Sequence, residues 1–461
     1  MGGSLINGLN IALSGLEAQQ AVLDVAGNNV ANASTAGYAA EQADLTPVAS
    51  PSATNASQTA EGVTVAKVTR ASSRFLQLQQ WDNTSQSSDA SAQSQMLSQV
   101  EAFFNEPSDT GLQSAMDAFW GDWEAVSSQP TSTAARTTLL SQAQGLTAQF
   151  NTLGAQLTGF QQSINSEVSS DVSQVNQLAS GIAQLNTQIA EAQGSGAQPG
   201  GLADQRDSLV SQLAALAPVK VTWGSADQMT IAVGGVNLVA GSNLTKLQTA
   251  MGPGGNIQIS WSGGEGAANI TGGSIGAMLN LQNQVVGGNS GYIAQVNNLA
   301  SALVSQVNAQ QQAGYDLNGN PGVAFFSGDS ANSIALNSGL ANQPDRVAAA
   351  STASGVPGDG SNATAVANLQ NAQVSQLGAM TFTNYYASTI GALGSAAEAA
   401  NTQSTNLQAV GQSISTQLQS ATGVSINTDL TQILEAQDAY QASAKVTETI
   451  SSMLGDLIQS V

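Results

Sequence analysis

The chain has 461 residues, 41% of them hydrophobic but only 8% charged, against about a quarter charged in an average globular protein. Its 30 acidic and 9 basic residues give a net charge of -21 with no basic patch to track phosphates, which argues against nucleic-acid binding. Cysteine and histidine are both absent, which removes disulfides, thiolate and imidazole metal ligands and the usual nucleophile–base pairs, so neither an enzyme nor a cofactor site is expected.

Residues 2–32 read as one helix with Ser4 as its N-cap. Leu5, Leu9, Ala12, Leu16, Gln19, Leu23, Ala26 and Val30 recur at alternating steps of four and three, the a/d seam of a heptad with a polar slot at Gln19. From Tyr38 to about Ser73 the chain reads as an extended connector with a strand or hairpin near its end, around Val63 to Val68. Helical periodicity resumes from Phe75 through Phe103. After Pro107 a second segment carries Leu112, Met116, Phe119, Trp120 and Trp123, aromatics that read as packed core.

The longest pattern runs from Leu146 to Ile189. At 1.5 Å per residue it makes a rod of about 65 Å. Its flanks are Gln, Asn and Ser in place of the Glu and Lys of an isolated coiled coil, so it is expected to pack in a bundle with other long helices of this chain. Gly194 to Gly201 breaks the rod, and a short helix follows at Leu202–Leu216. Val219 to about Asn280 reads as strands, including a hairpin around Gly234-Gly235. Helix returns at Tyr292–Gln312, residues 314–362 are turn-rich, and Leu369–Leu418 forms a second long helix, the natural antiparallel partner of the rod.

Near the finish, Leu430, Ile433, Gln437, Tyr440 and Ala444 repeat the rhythm of the first helix with Leu434 beside them. Val446, Ile450, Met453 and Leu457 continue it on a neighbouring stripe. Isolated helices this short are marginal in water, so each terminal seam needs a partner, whether the other terminus, copies of the chain, or both. That points to assembly. The expected fold is mainly α with an inserted β domain: an elongated multi-helix bundle or coiled coil with its N- and C-terminal helices paired. Its expected division is a terminal part of residues 1–40 plus 425–461, a long-helix bundle with connector of 41–218 plus 286–424, and an outer β domain of 219–285.

Asp204-Gln205-Arg206-Asp207 places two acids one helical turn apart around an arginine and reads as local ion pairing at a helix start. Asp316-Leu317-Asn318-Gly319-Asn320 opens like a calcium loop but lacks Gly at the sixth place and Glu at the twelfth, so it reads as a glycine turn. No run approaches the roughly 18 apolar residues of a membrane span, so no insertion is expected. The first residues lack the basic and apolar segments of a cleavable signal, so any export is expected to use a route without one.

Asn28-Asn29-Val30-Ala31-Asn32 followed by Thr35-Ala36-Gly37-Tyr38 resembles the N-terminal signature of bacterial flagellar rod, hook and hook-associated proteins, with Ser34 for the common Asn and Ala36 for the common Pro. Tyr440-Gln441-Ala442-Ser443-Ala444-Lys445 is similar to the C-terminal signature of the same proteins. The interior segments Leu202 to Val210, Gly234 to Gly241, Gly272 to Leu279 and Gly314 to Phe326 resemble the hook-associated family of the hook–filament junction. The resemblance implies a structural subunit, not an enzyme, that leaves the cell by the flagellar type III pathway and joins hook to filament. It implies terminal helices that form an inner coiled-coil layer and stay disordered until assembly. Leu5, Leu9, Leu16, Leu23, Val30, Asn28, Asn29, Asn32, Gly37 and Tyr38 become candidate assembly residues at one end. Leu430, Ile433, Leu434, Gln437, Tyr440, Ala444, Val446, Ile450, Leu454 and Leu457 become candidates at the other. The implied partners are copies of the chain, the hook protein, the adjacent hook-associated junction protein, and an export chaperone on Leu430–Leu457. Another axial subunit of hook or filament type, or a secreted adhesin with a functional β domain, are the alternatives.

Overall fold

The computed structural model describes residues 2–48, 62–286 and 290–459. The first helix, α1 (Gly2–Asn32), leads into an antiparallel hairpin of β1 (Glu41–Pro47) and β2 (Val63–Arg70). Because α1 starts at Gly2, Ser4 lies within its first turn and not before it. Three helices follow: α2 (Arg74–Phe104), α3 (Leu112–Ser128) and the rod α4 (Thr133–Gly194). Of these, α4 is the longest, 62 residues or about 90 Å at 1.5 Å per residue. The sequence pattern predicts the rod only from Leu146, yet Leu139, Leu140 and Ala143 continue the helical period upstream and are buried. Ser132 caps α4, accepting from the Ala135 amide at 3.2 Å.

After α5 (Gly200–Leu216) come β3 (Lys220–Trp223), β4 (Met229–Val233), β5 (Val236–Ala240) and β6 (Asn243–Leu244), one antiparallel sheet in that order. The two-residue turn between β4 and β5 is Gly234-Gly235, with φ of 58° and 87°, the positive values that a hairpin of matching twist requires. A second hairpin pairs β7 (Leu247–Met251) with β8 (Ile257–Trp261). The strands of this region end there. Gly273–Val286, read from sequence as part of the β region, is helix α6, packed against α2 and α4. Buried Ile275, Met278, Leu281 and Val285 set its helical period.

The return path holds α7 (Tyr292–Ala313), the short pair β9 (Phe326–Ser327) and β10 (Ala335–Leu336), α8 (Ser361–Ala367), α9 (Phe382–Thr422) and α10 (Ile426–Gln459). Two corrections concern α9. It begins at Phe382 and not at Leu369, because Gly378 and Ala379 sit at positive φ of 68° and 60° and break any helix there. Its partner is α2, not the rod: Asn83 on α2 donates to the Leu407 carbonyl on α9 at 3.2 Å. The faces of α4 are already covered by α3, α5, α7 and the strands.

One hydrophobic core runs through helices and strands alike. At its centre Phe119, Trp120 and Trp123 pack against Phe325, Phe326 and Phe382 with ring centroids 5.3 to 5.9 Å apart. The asparagines of α4 have a specific use. Asn165 donates to the Gly255 carbonyl and accepts from the Ile257 amide. Asn176 does the same with both backbone groups of Leu247, and Asn186 with both of Met229. Spaced about three helical turns apart, they lie on one face and act as surrogate strand partners for backbone that would otherwise be orphaned. This is why the flanks of the rod are amides and not charges.

Candidate assembly surface

α1 and α10 run antiparallel and form an extended contact. A Cβ placed on Gly8 would meet Ile450 Cδ1 at 3.1 Å, and one on Gly15 would meet Ser443 Oγ at 3.1 Å. Val22 and Ala436 share a hydrophobic cluster, and Asn29 bonds Asp429. Gly8, Gly15, Val22 and Asn29 recur every seven residues, as do Ile450, Ser443, Ala436 and Asp429 in reverse. The seam within the chain is therefore a heptad of mostly small residues that brings two backbones close. The sequence reading catches it only in part: its positions Ala12 and Ala26 are buried, but leucines fill most of the others, where the seven-residue recurrence of Gly8 and Gly15 against Ser443 and Ala436 was the available signal.

Apart from Ile450, which meets Gly8, and Leu23, which packs on the Val22–Ala436 cluster, the large side chains lie outside that seam. Leu5, Leu9, Leu16, Leu23 and Val30 are half-buried, and Ile6 and Leu13 are exposed. On α10, Leu430, Leu434, Gln437, Tyr440, Val446 and Leu457 are exposed, while Ile433, Ala444, Ile450 and Leu454 are half-buried. The exposure of Leu434 is 63% and that of Ile458 is 75%. Scattered exposed apolar residues are ordinary, but rows of them along two adjacent helices make a candidate interaction surface.

At the base of the pair, every hydrogen-bonding capacity of buried Asn29 is used. Its amide donates to Glu41 O at 2.8 Å and Asp429 Oδ1 at 2.9 Å; its oxygen accepts from Tyr38 OH and Glu41 N, both at 2.9 Å. Burial, then the Glu41, Asp204 and Asp429 carboxylates, push the Tyr38 hydroxyl up to about 12, so it remains a neutral donor. Asn32 bonds Asn28 across one turn, at the exposed end of α1, and Gly37 takes a positive φ of 81° in the following turn. The candidates Asn29 and Tyr38 thus meet, joined by Glu41 and Asp429, which sequence alone did not select.

Asp204 and Asp207 do not make local pairs, contrary to the sequence expectation. Both reach Arg70 at the end of β2, at 2.5 and 3.0 Å. Arg206 between them points the other way, to Asp227 at 2.7 Å and Asn186 Oδ1 at 3.1 Å. Asp316 is a buried turn residue that accepts from the Asn318 and Asn320 amides at 2.8 Å. Among the described residues, no cluster of acids could hold a metal ion and no helix is long and apolar enough to cross a membrane.

Burial is the largest influence on Glu41, Asp204 and Asp207 and holds all three above the ordinary carboxylate range, against the pull of Arg70, the single cation they share. Half-buried Asp89 and buried Asp171 are raised as well, again chiefly by desolvation. A raised folded-state pKa means that the folded state binds protons more readily than the unfolded one. That contribution is full below the unfolded values and lost as pH rises through the folded ones. The melting temperature should therefore rise between neutrality and about pH 5. Differential scanning calorimetry across that window, with a flat or falling profile, would contradict this assignment.

A family model described as the flagellar hook-associated protein FlgK helical domain matches residues 97–326. Models for the flagella basal body rod protein and the flagellar basal body rod FlgEFG protein C-terminal match residues 9–38 and 417–460, the two terminal helices. Flagellar hook-associated protein 1 of Bacillus subtilis (strain 168) is 27% identical over 505 residues, covering 99% of each chain. The protein of the same name from Salmonella typhimurium is 29% identical over 337 residues, 69% of this chain and 59% of that one. The solved structure of the flagellar hook junction protein FlgK from Burkholderia pseudomallei superposes with a TM-score of 0.66 at 20% identity, over 74% of this chain and 100% of that chain, so the fold is shared. The matches of both terminal helices to models of axial flagellar proteins, with the hook-associated helical domain between them, identify an axial structural subunit of the bacterial flagellum. The chain belongs to the FlgK family of flagellar hook-associated proteins, structural subunits of the hook–filament junction.

Proposed function

We propose that this chain joins hook to filament by packing its terminal helix pair against those of neighbouring copies, and that it carries no catalytic activity. The observation that carries this reading is the division of labour on α1 and α10: small residues make the contact within the chain, and the large apolar rows are left over. Heterologous contacts between identical subunits extend around an axis where isologous ones close. The helices α2 to α9 form the next layer outward, with the β3 to β8 strands farther from the axis. The hook protein and the adjacent hook-associated junction protein are the axial neighbours. Export follows the flagellar type III pathway, which places the assembled chain outside the cell. Before export, the apolar rows of Leu430–Leu457 are the surface that a chaperone covers, since an exposed amphipathic helix is read by apolar grooves.

Electron microscopy of isolated hooks incubated with purified protein tests the reading. A short layer confined to hook ends is expected. Long fibres formed in the absence of hooks would identify a filament-type subunit, and no decoration of hook ends would remove the junction role.

A further inference from the structure

Among the described residues, two hydrophobic clusters form and they do not meet. One, built on Val22, Ala43 and Ala436, belongs to a terminal unit of α1, β1, β2 and α10; the other fills the body from α2 to α9. The chain crosses between them at residues 71–73 and 423–425. Among the described residues, no helix or strand of the terminal unit packs along an element of the body. An interface this small and polar leaves relative motion as the default.

Arg70 is what spans the gap. It is the last residue of β2, and it grips Asp204 and Asp207, one turn apart on α5. Gln77 Nε2 donates to Asp207 as well, at 2.8 Å. The three ionic side chains are largely shielded, at 17%, 14% and 16% exposure. The remaining ties are light: the Ala39 amide to Asp204 at 3.5 Å and the Ala40 amide to the Thr422 carbonyl at 2.8 Å. Glu41 also lies against Gly200, at the first turn of α5. On the opposite face of α5, Arg206 is 2% exposed and bonded to Asp227 and Asn186. The two acids are thus mounted rigidly on the body and the guanidinium on the hairpin. A planar guanidinium held by two carboxylates fixes an angle as well as a distance.

We propose that Arg70, Asp204 and Asp207 form a latch that sets the angle between the terminal unit and the body. Opening the latch lets the unit pivot about residues 71–73 and 423–425, where Ser72, Ser73, Gly423 and Ser425 offer little steric resistance, while both parts remain folded. The inference concerns the single chain and does not depend on what that chain assembles with.

The absence of cysteine makes the test direct. Nitroxides on Thr46→Cys in the hairpin and Gln95→Cys on α2, both exposed positions, report the distance between the units by pulsed dipolar electron resonance. With the latch intact, one narrow distribution is expected. R70Q and D204N/D207N should each widen it about twofold with the circular dichroism unchanged, and their combination should widen it no further. R70K, which keeps the charge and loses the fork, should fall between. K445Q, which removes the exposed Lys445–Glu448 pair, should change nothing. An R70Q distribution as narrow as the parent's would overturn the latch, and so would a parent distribution that is already broad. Loss of helical signal in both R70Q and D204N/D207N would overturn it too, by making the cluster a folding element.

Discussion

With Leu430, Leu434 and Val446 changed together to aspartate, the protein keeps its helical signal and melting temperature and stops joining to its own copies. The three side chains are 46%, 63% and 49% exposed, so they contribute little to the isolated chain. Buried between copies, each would contribute roughly 1.5–3 kcal/mol. Losing all three removes on the order of 5 kcal/mol per contact, more than about a thousandfold in association, before the cost of burying a carboxylate is added. Hook-end decoration and sedimentation both read this directly. The exposed K445Q change is the matched control, expected to be neutral in both. A triple variant that still decorates hook ends at the parent's concentration would separate the exposed rows from assembly.

Asn186→Leu carries the largest expected effect on stability, about 3–5 kcal/mol. Asn186 is 1% exposed and serves four groups: the Met229 amide and carbonyl, the Gly241 carbonyl and the Arg206 guanidinium. A leucine of similar volume leaves these buried groups unpaired and weakens the hold of Arg206 on α5. Asn176→Leu removes a similar pair of bonds at a half-buried site that water can reach, so a loss of about 1–2 kcal/mol is expected there. Chemical denaturation of both variants gives the comparison. Equal losses would show that burial does not set the worth of these amides.

Much of the helical scaffold is legible in the sequence because periodicity survives without charges. The patterns starting at Phe75, Leu112, Leu202 and Tyr292 all correspond to helices. What periodicity does not carry is pairing. With 8% charged residues there is no charge code to say which long helix meets which, and the true partner of α9 is α2. The strand assignment ran too far because Gly272 and Gly273 look like a strand break when they are the entry to α6. At the termini the helices are plain, but the seam was sought among leucines. Glycines, weak helix formers by propensity, form the contact in α1 because two backbones approach closely there.

The polar base of the terminal pair is legible only in part. The Asn29 and Tyr38 candidates came from a signature at one end of the chain. Their partner Asp429 lies 400 residues away, and Asp204 and Asp207 looked like an ordinary helix start. No local pattern reports such a pairing, because it is made by the fold bringing β2, α5 and the start of α10 to one place.

The most direct measurement removes the termini altogether. A protein lacking residues 1–40 and 425–461 is compared with the full chain by circular dichroism, thermal melting and hook-end decoration. The body, with its own continuous core, should keep its melting transition and the helical signal of α2 to α9 while decoration is lost. Decoration that persists without the termini, or a body that unfolds when they are removed, would contradict the account.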